Sequence, residues 1–473
     1  MYFGAVVSGY KNAEKKYRTA AFSSIDNRVK NKEQVMSDTL HAANDVGQAQ
    51  RIEDRTYRKV TLRLIPFLIL CYVAAYLDRV NIGFAKLQML SDLQFSETIY
   101  GLGAGVFFIG YFLFEVPSNL MMQRVGAKAW IARIMVTWAL ISGAFFFVQT
   151  PTQFYVLRFL LGSAEAGFYP GIVLYLMQWY PAHRRSHVLA IFMIGIPLAG
   201  IIGGPLSGWI LEAFHGSHGH PGWRWLFLIE AVPSLALGIA AFFYLQNKPS
   251  DAKWLTRDEA AIITNALDTP ANRHARISET VGQVFRDPRM LLMALIYFCV
   301  IMGQYGLTFW MPTLIKASGV SGALMIGVLS AIPFIFGAIA MVSFGRNSDR
   351  TGERRWHLIV PMLIGALGYA ITAGAGANVP LALVGLSLAA AGVLTPGPLF
   401  WALPSAILAG TGAAAGIAAI NAFAGLAGFV SPYLIGWLRD LTHTSVIAMY
   451  VSAGVLVVGA AMILLIPAKL VNR

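Results

Sequence analysis

Twelve stretches of mostly apolar residues alternate with short polar segments along the chain. A helix needs about 20 such residues to cross the hydrocarbon core of a bilayer, so each stretch predicts one membrane-spanning helix. A single long polar segment, 247–289, divides the twelve into two groups of six. The pattern therefore predicts an all-α membrane protein of twelve transmembrane helices. They are expected near 62–83, 99–121, 128–149, 152–176, 187–211, 224–246, 290–312, 323–343, 356–376, 379–401, 411–437 and 446–467.

The composition supports a membrane protein and excludes a soluble one. Hydrophobic residues make up 57% of the chain and charged residues only 12%, whereas soluble domains carry roughly 25% charged residues. The net charge of +13 comes from basic residues clustered between the apolar stretches. That distribution is typical of membrane orientation and not of a nucleic-acid-binding stripe. We therefore expect a lipid bilayer as the surroundings and no nucleic acid as a partner.

The basic residues also predict the orientation. They concentrate in alternate polar segments and in the central one, whereas the opposite side carries only Lys86, Arg224, Lys316 and Arg439. Lys and Arg accumulate in cytoplasmic loops. Both termini and the central loop are thus predicted to be cytoplasmic, with the protein in the plasma (inner) membrane.

The polar ends and the central segment set the predicted domain boundaries. The N-terminal residues are polar and aperiodic, which is typical of disorder, and the 35 residues before Met36 differ enough that we expect translation to begin at Met36. Within the central loop, 254–267 has the pattern of an amphipathic surface helix. The predicted parts are a disordered cytoplasmic tail (1–56), a six-helix half (57–246), a cytoplasmic loop (247–289), a second six-helix half (290–467) and a cytoplasmic C-terminus (468–473).

An internal repeat relates the two halves. The loop after the second helix contains Asn119, Arg124, Gly126 and Lys128. The loop after the eighth helix contains Gly345, Asp349, Arg350, Gly352, Arg354 and Arg355 at similar spacing. Repeated six-helix units predict two pseudo-symmetric halves.

The second of these loops resembles the loop motif of the major facilitator superfamily, with Glu353 where a basic residue is commoner. The first copy departs further, with Asn119 and Gln123 in place of Gly and Asp. The resemblance implies a gating role for the loop-motif residues. They are Arg124, Gly126, Gly345, Asp349, Arg350, Gly352 and Arg354.

Six further motifs, in order over about 57–467, resemble the anion:cation symporter family. That resemblance implies proton-coupled uptake of a small organic anion by alternating access, with tartrate, sugar acids or aromatic acids as typical substrates. It also implies substrate contacts at Tyr111, Tyr305 and Asn421. The motifs are Tyr76-Leu-Asp78-Arg79-Val-Asn81-Ile-Gly83, Phe114-Glu115-Val-Pro117-Ser-Asn119, Arg158-Phe-Leu-Leu-Gly-x2-Glu165-Ala-Gly167, Gly222-Trp-Arg-Trp225, Phe309-Trp310-x-Pro312 and Phe400-Trp401-Ala-Leu-Pro404-Ser.

In the first half, two arginines inside apolar stretches each have a carboxylate within helical reach, which gives four buried charges to explain: Asp78, Arg79, Arg158 and Glu165. Each costs about 2.5–3.5 kcal/mol at bilayer depth on insertion scales and is expected to face a polar pathway. We expect Arg79 to bind the substrate carboxylate, because a guanidinium grips carboxylates bidentately. Asp78 and Glu165 are the expected proton carriers. Arg158 is expected to be the tuning partner of one of them and a further substrate-binding residue. The alternative is a fixed ion pair that only clamps helices together.

Other polar residues have weaker claims. Glu115 is expected to be a gate or a packing contact, and Glu230 to pair with Arg224. The nine histidines lie in loops or at the edges of stretches, so none is expected to carry the proton, and the spacing of His215, His218 and His220 fits no standard zinc site. In the second half, polar and aromatic residues at depth are pocket candidates. They are Gln304, Tyr305, Trp310, Tyr369, Thr395, Trp401 and Asn421.

The sequence contains no intramembrane nucleophile–base pair, so it predicts no enzyme and no cofactor or metal. The expected partners are a small organic anion and protons, and the expected state is a monomer. Two alternatives stay open: a proton-coupled exporter or anion exchanger, and a non-transporting membrane sensor.

Overall fold

The computed structural model describes residues 32, 36, 48, 50–267, 288–407 and 412–472. Within them, twelve helices are long and apolar enough to cross a membrane, which confirms the predicted fold class. We number these helices α1–α12. Their bounds are Gln50–Leu93, Glu97–Val125, Ala127–Phe147, Pro151–Met177, Val188–Ala213, Gly222–Tyr244, Pro288–Ala317, Ala323–Thr351, Trp356–Gly374, Val379–Pro404, Ala419–Thr442 and Val446–Leu464.

The chain divides into two compact units, 1–62 and 63–473. Most of the predicted tail, 1–56, lies outside the described residues. The expected start at Met36 is surrounded by such residues and stays a prediction. The described part of that tail differs from the prediction, because 50–56 is helical. Oppositely charged residues four apart, such as Asp54 and Arg58, favour helix there. The cavity and the buried charges lie within residues 63–473.

The central loop matches its prediction in part. A helix runs from Arg257 to Leu267, close to the predicted 254–267. Its first turn carries Asp258 and Glu259, and acidic residues there are favoured by the helix dipole. The rest of the loop, 268–287, lies outside the described residues.

Helix α4 is interrupted inside its apolar stretch. Glu165 ends the first segment, and Gly167 follows with φ +86°. A Cβ at Gly167 would lie 2.3 Å from the Ser118 hydroxyl, so only glycine fits this close approach. Interrupted helices occur in membranes where the backbone lines a cavity or is buried in protein. The interruption brings Glu165 to the interior of the bundle.

Two tight crossings join the first six helices to the last six. Helix α5 packs on α8, and α2 packs on α11. A Cβ at Gly204 of α5 would lie 2.5 Å from the Gly327 carbonyl oxygen, and one at Gly101 of α2 would lie 2.4 Å from the Pro432 carbonyl oxygen. Small residues let helices approach this closely in membranes.

The two repeated loops share an arrangement that the sequence analysis did not identify. The side-chain oxygen of Asn247, just after α6, accepts a hydrogen bond from the Lys128 amide at the start of α3 (3.0 Å). The side-chain oxygen of Asn472, just after α12, accepts one from the Arg354 amide before α9 (2.9 Å). In each half, an asparagine beyond the last helix thus holds the repeated loop.

In the second loop, the motif residues bond to one another. Arg354 pairs with Asp349 at 2.6 Å, and Gly352 ends α8 with φ +69°. Glu353 accepts hydrogen bonds from the Trp356 amide (2.8 Å) and the His357 ring (2.8 Å). The acidic residue that departs from the family motif therefore stabilises the start of α9, where orphan amides need acceptors.

Candidate functional site

A cavity of about 150 Å³ lies between the first-half and second-half helices. A cavity of this volume accommodates a molecule on the scale of benzene. Its wall is mainly aromatic and apolar, with a few polar groups, as is typical of small-molecule sites. The polar and aromatic side chains in the wall are Tyr72, Tyr76, Arg79, Phe108, Tyr111, Phe112, Glu115, Tyr169, Tyr297, Gln304, Tyr305, Trp401 and Asn421.

Of the five substrate-binding residues expected from the sequence, Arg79, Tyr111, Tyr305 and Asn421 lie in this wall, and Arg158 does not. Glu115, Gln304 and Trp401 join them. Three other pocket candidates do not. Tyr369 donates instead to the Gly303 carbonyl (2.5 Å), Thr395 is buried, and Trp310 lies against Lys86.

Arg79 connects the two halves at the cavity wall. One guanidinium nitrogen forms an ion pair with Glu165 of α4. The other donates to the Tyr305 hydroxyl of α7 at 3.3 Å, and the guanidinium carbon lies 5.5 Å from the centre of the Tyr111 ring. The Nε atom is buried without a hydrogen-bond partner. Since a guanidinium has five N–H donors, Arg79 keeps donors for a further acceptor.

Asp78 points away from the cavity, into the first-half helices. Its carboxylate accepts hydrogen bonds from Trp138 (3.1 Å) and Ser142 (2.9 Å) on α3 and from Ser234 (2.5 Å) on α6. Adjacent helical residues point about 100° apart, so Asp78 and Arg79 were expected to have different partners. The structure agrees.

Arg158, the expected tuning partner of Asp78 or Glu165, forms no hydrogen bond or salt bridge with either, and it acts on Glu165 only through longer-range electrostatics. Arg158 is fully buried and donates to the carbonyls of Gly103 (3.1 Å) and Ala104 (3.3 Å) on α2. Glu165 pairs instead with Arg79 of α1. Gly103 and Ala104 have small side chains that leave their carbonyl oxygens accessible. Each carbonyl oxygen has a second lone pair that can accept a hydrogen bond from Arg158.

The expected pairing of Glu230 with Arg224 is wrong. Glu230 accepts a hydrogen bond from the Ser207 hydroxyl at 2.6 Å. Arg224 donates to the Phe146 carbonyl at 3.0 Å. Six residues separate the two along α6, which places them on different faces of the helix.

A charged cluster that the sequence analysis missed joins the halves at one end of the bundle. Lys86 of α1, only 4% exposed, pairs with Glu97 of α2 at 2.6 Å, and Arg439 of α11 pairs with the same carboxylate at 3.1 Å. The Lys86 ammonium lies 3.5 Å from the centre of the Trp310 ring. The charge pattern of the sequence predicts loop positions for Lys86 and Arg439, but both lie in helices.

Asp440 completes this cluster, which we call the clasp (Lys86, Glu97, Trp310, Arg439 and Asp440). Its carboxylate accepts hydrogen bonds from the backbone amides of Glu97 (3.1 Å) and Thr98 (2.7 Å). A second-half residue thus caps the N-terminus of a first-half helix. Acidic groups at such ends are favoured by the orphan amides and the helix dipole.

Comparisons with known proteins place the chain in a family. Residues 68–432 match the model of the Major Facilitator Superfamily. The chain is 50% identical over 419 residues to a protein of Pseudomonas putida named as a metabolite transport protein, NicT, covering 88% of this chain and 95% of that protein. It is 48% identical over 415 residues to an Agrobacterium vitis protein named as a tartrate transporter, covering 88% and 95%.

Two more similarities extend this result. A quinolone resistance transporter of Acinetobacter baumannii is 39% identical over 423 residues, covering 88% of this chain and 96% of that one. The crystal structure of a bacterial homologue of the lysosomal transporter Spinster, inward-facing and unoccupied, has the same fold. Its TM-score is 0.69 at 17% identity, covering 86% and 96%. The chain is a membrane transporter and not an enzyme, and it belongs to the major facilitator superfamily.

Proposed function

We propose that this transporter takes up a small organic anion together with protons, across the plasma membrane and as a monomer. The observation that carries the proposal is Arg79, a cation in the cavity wall whose guanidinium pairs with the Glu165 carboxylate. A substrate carboxylate is chemically similar to the Glu165 carboxylate that pairs with Arg79. Bidentate binding of carboxylates is the interaction for which Arg is suited.

The exchange of one carboxylate for another links the anion to the proton. When the substrate carboxylate binds Arg79, Glu165 loses its cation inside the bundle. An unpaired buried carboxylate is strongly disfavoured and takes up a proton instead. Tyr305, Tyr111 and Asn421 then orient the substrate. Asp78 is the second proposed carrier, and buried Arg158 adds positive potential beside the α2 wall.

Alternating access supplies the transport step. The clasp and the glycine crossings hold the halves together at one end. The opposite end of the bundle carries Gly126 and Gly352. On α2, α5, α8 and α10, the residues of the cavity wall lie between the middle of the helix and that end. That end also has the basic loops, so we assign it to the cytoplasm, with both termini. The moving halves are proposed as 57–246 and 290–467, with the loop-motif residues bracing them.

The substrate class is proposed from size and charge. A cavity of about 150 Å³ with one cation suits a compact mono- or dicarboxylate, and the tartrate name carried by a relative supports the same class. The similarity to a quinolone resistance transporter favours one competing function, proton-coupled export.

Ligand-dependent thermal stabilisation of the purified protein tests the proposal. The panel contains tartrate, a sugar acid, nicotinate, an uncharged sugar and a quinolone. We expect stabilisation by at least one small carboxylate and none by the sugar. Stabilisation by the quinolone alone contradicts the proposal and supports export.

A further inference from the structure

A second polar cluster lies outside the cavity, among α1, α5 and α6. Glu230 is 2% exposed, and its Oε1 atom accepts the Ser207 hydroxyl at 2.6 Å. Its Oε2 atom has no hydrogen-bond partner. Neither has the side-chain oxygen or nitrogen of Asn81, a residue with no exposed surface. Because buried polar atoms are almost always hydrogen-bonded, three such atoms together require an explanation.

Around Glu230, the Ser207 hydroxyl and the Asn81 side chain favour a negative charge, whereas burial and the nearby Asp78 carboxylate oppose it. Asn81 lies beside it, and Asp78 is near enough to interact with it electrostatically. Within the described part of the chain, no Lys, Arg or His pairs with Glu230. The charged groups on the helices packed around it are engaged elsewhere. Between residues 63 and 473 they are Arg63 (over the Tyr244 ring), Arg79 (with Glu165), Lys86 (with Glu97), Asp92 (with Trp223), Lys128 (over the Phe242 ring), Arg133 (over Trp130), Glu212 (with the Leu324 amide) and Arg224 (with the Phe146 carbonyl).

Asp78 presents the opposite case. Its carboxylate accepts three hydrogen bonds, from one indole and two hydroxyl groups. Donors of this kind stabilise the ionised form of a carboxyl group. Two ionised carboxylates without a cation would repel each other in a dry interior, where an unpaired charge is expensive. The charge therefore belongs on Asp78, and Glu230 is the neutral member.

We propose that Glu230, Asn81 and Ser207 form a proton-binding site, separate from the cavity, in which Glu230 Oε2–H donates to the Asn81 side-chain oxygen while Asp78 stays ionised. One proton gives two of the unpartnered atoms a partner. It also leaves Oε1 free to accept from Ser207 as observed.

The location of the site indicates its use. Glu230 lies eight residues into α6, about 12 Å from the start of that helix at the clasp end. Ser234, one turn further along α6, donates to Asp78. The Glu230 site thus lies between Asp78 and the clasp end, on the side away from the cavity, where it can hold a proton for Asp78. This loading role rests on the proposed proton coupling, whereas occupancy of the site by a proton does not.

Infrared difference spectroscopy tests occupancy directly. Wild-type protein and Glu230→Gln are compared in liposomes at pH 7, without substrate and with choline chloride as the only salt. We expect a carboxylic-acid C=O band in the wild type that shifts in D₂O and is missing in Glu230→Gln. Ser207→Ala and Asn81→Ala should keep the band and raise its frequency, because each removes one hydrogen bond from the carboxyl group. The matched control, exposed Glu212→Gln, should leave the band unchanged.

Two results would overturn the proposal. If wild type and Glu230→Gln have the same carboxylic-acid bands, Glu230 is ionised. If the band disappears when sodium chloride replaces choline chloride, the site holds a metal cation and not a proton. If Glu230→Gln does not fold, Ser207→Ala and Asn81→Ala provide the test. A carboxylic-acid band at the wild-type frequency in both variants would exclude Glu230 as the source of the band. The spectra need no substrate, so a failed substrate assignment leaves this test intact.

Discussion

Replacing Arg79 by lysine should weaken binding of the organic anion while keeping the positive charge. The guanidinium is a planar fork that already engages Glu165 and Tyr305 and keeps donors free. Lysine offers a point charge and cannot hold a carboxylate bidentately. A charge-assisted hydrogen bond contributes about 1.5–3 kcal/mol, so losing one should raise the dissociation constant about 10- to 150-fold.

Equilibrium binding of the anion found in the stabilisation screen measures this change, with isothermal calorimetry on purified protein at constant pH. Arg224→Lys is the matched control. It makes the same replacement at a residue that donates to a carbonyl outside the cavity, and its affinity should stay within about twofold of wild type, the range expected away from special features. Wild-type affinity in Arg79→Lys would refute Arg79 as the carboxylate ligand.

Two further predictions concern the clasp and the repeated loop. Glu97→Gln leaves Lys86 as an uncompensated buried charge. Labelling of a cysteine at the buried position one turn after Trp310 (Thr313→Cys) should therefore rise about tenfold or more, a shift of about 1.4 kcal/mol. The control Asp92→Asn alters only a first-half contact and should leave the labelling unchanged. Equal labelling in all three backgrounds would show that the clasp does not hold this end closed. Burial acts to raise the pKa of Glu353, but hydrogen bonds from the Trp356 and His357 amides, the His357 ring and Asn472 outweigh it, and the pKa is lowered. The resulting stability is present above the unfolded pKa and lost as pH falls through the folded one. Glu353→Gln should therefore lower the melting temperature at pH 7, and its difference from wild type should shrink below about pH 4; a difference independent of pH would contradict this.

The hydrophobic pattern was sufficient to predict the helices, because bilayer thickness fixes their length and composition. It was also sufficient to locate Arg79 and Glu165, since intramembrane charges stand out against apolar neighbours. Which charges pair was harder. The spacing of Arg158 and Glu165 places them on one helix face. In the structure, however, Glu165 pairs with Arg79, and Arg158 donates to backbone carbonyls. These pairings depend on how each helix is rotated about its axis and on the interruption at Gly167. Residue spacing alone predicts neither of these features.

The clasp was missed for a different reason. Charge counts treat Lys86 as one of a few basic residues in outer loops, but α1 continues to Leu93 and carries Lys86 into the interface. Its partners come from α2, α7 and α11, so no local pattern relates them. The acceptors Asn247 and Asn472 are similar cases, because each acts on a helix more than a hundred residues earlier.

In the proposed transport cycle, Glu165 carries the proton that couples to the anion. Glu165→Gln mimics the protonated carboxyl permanently and releases Arg79 from its ion pair. Proteoliposomes containing this variant should exchange labelled anion in counterflow without a gradient. They should fail to concentrate the anion when the outside is made acidic, whereas wild type does both. If Glu165→Gln still accumulates the anion under the pH gradient, Glu165 is structural and the proposed coupling is wrong.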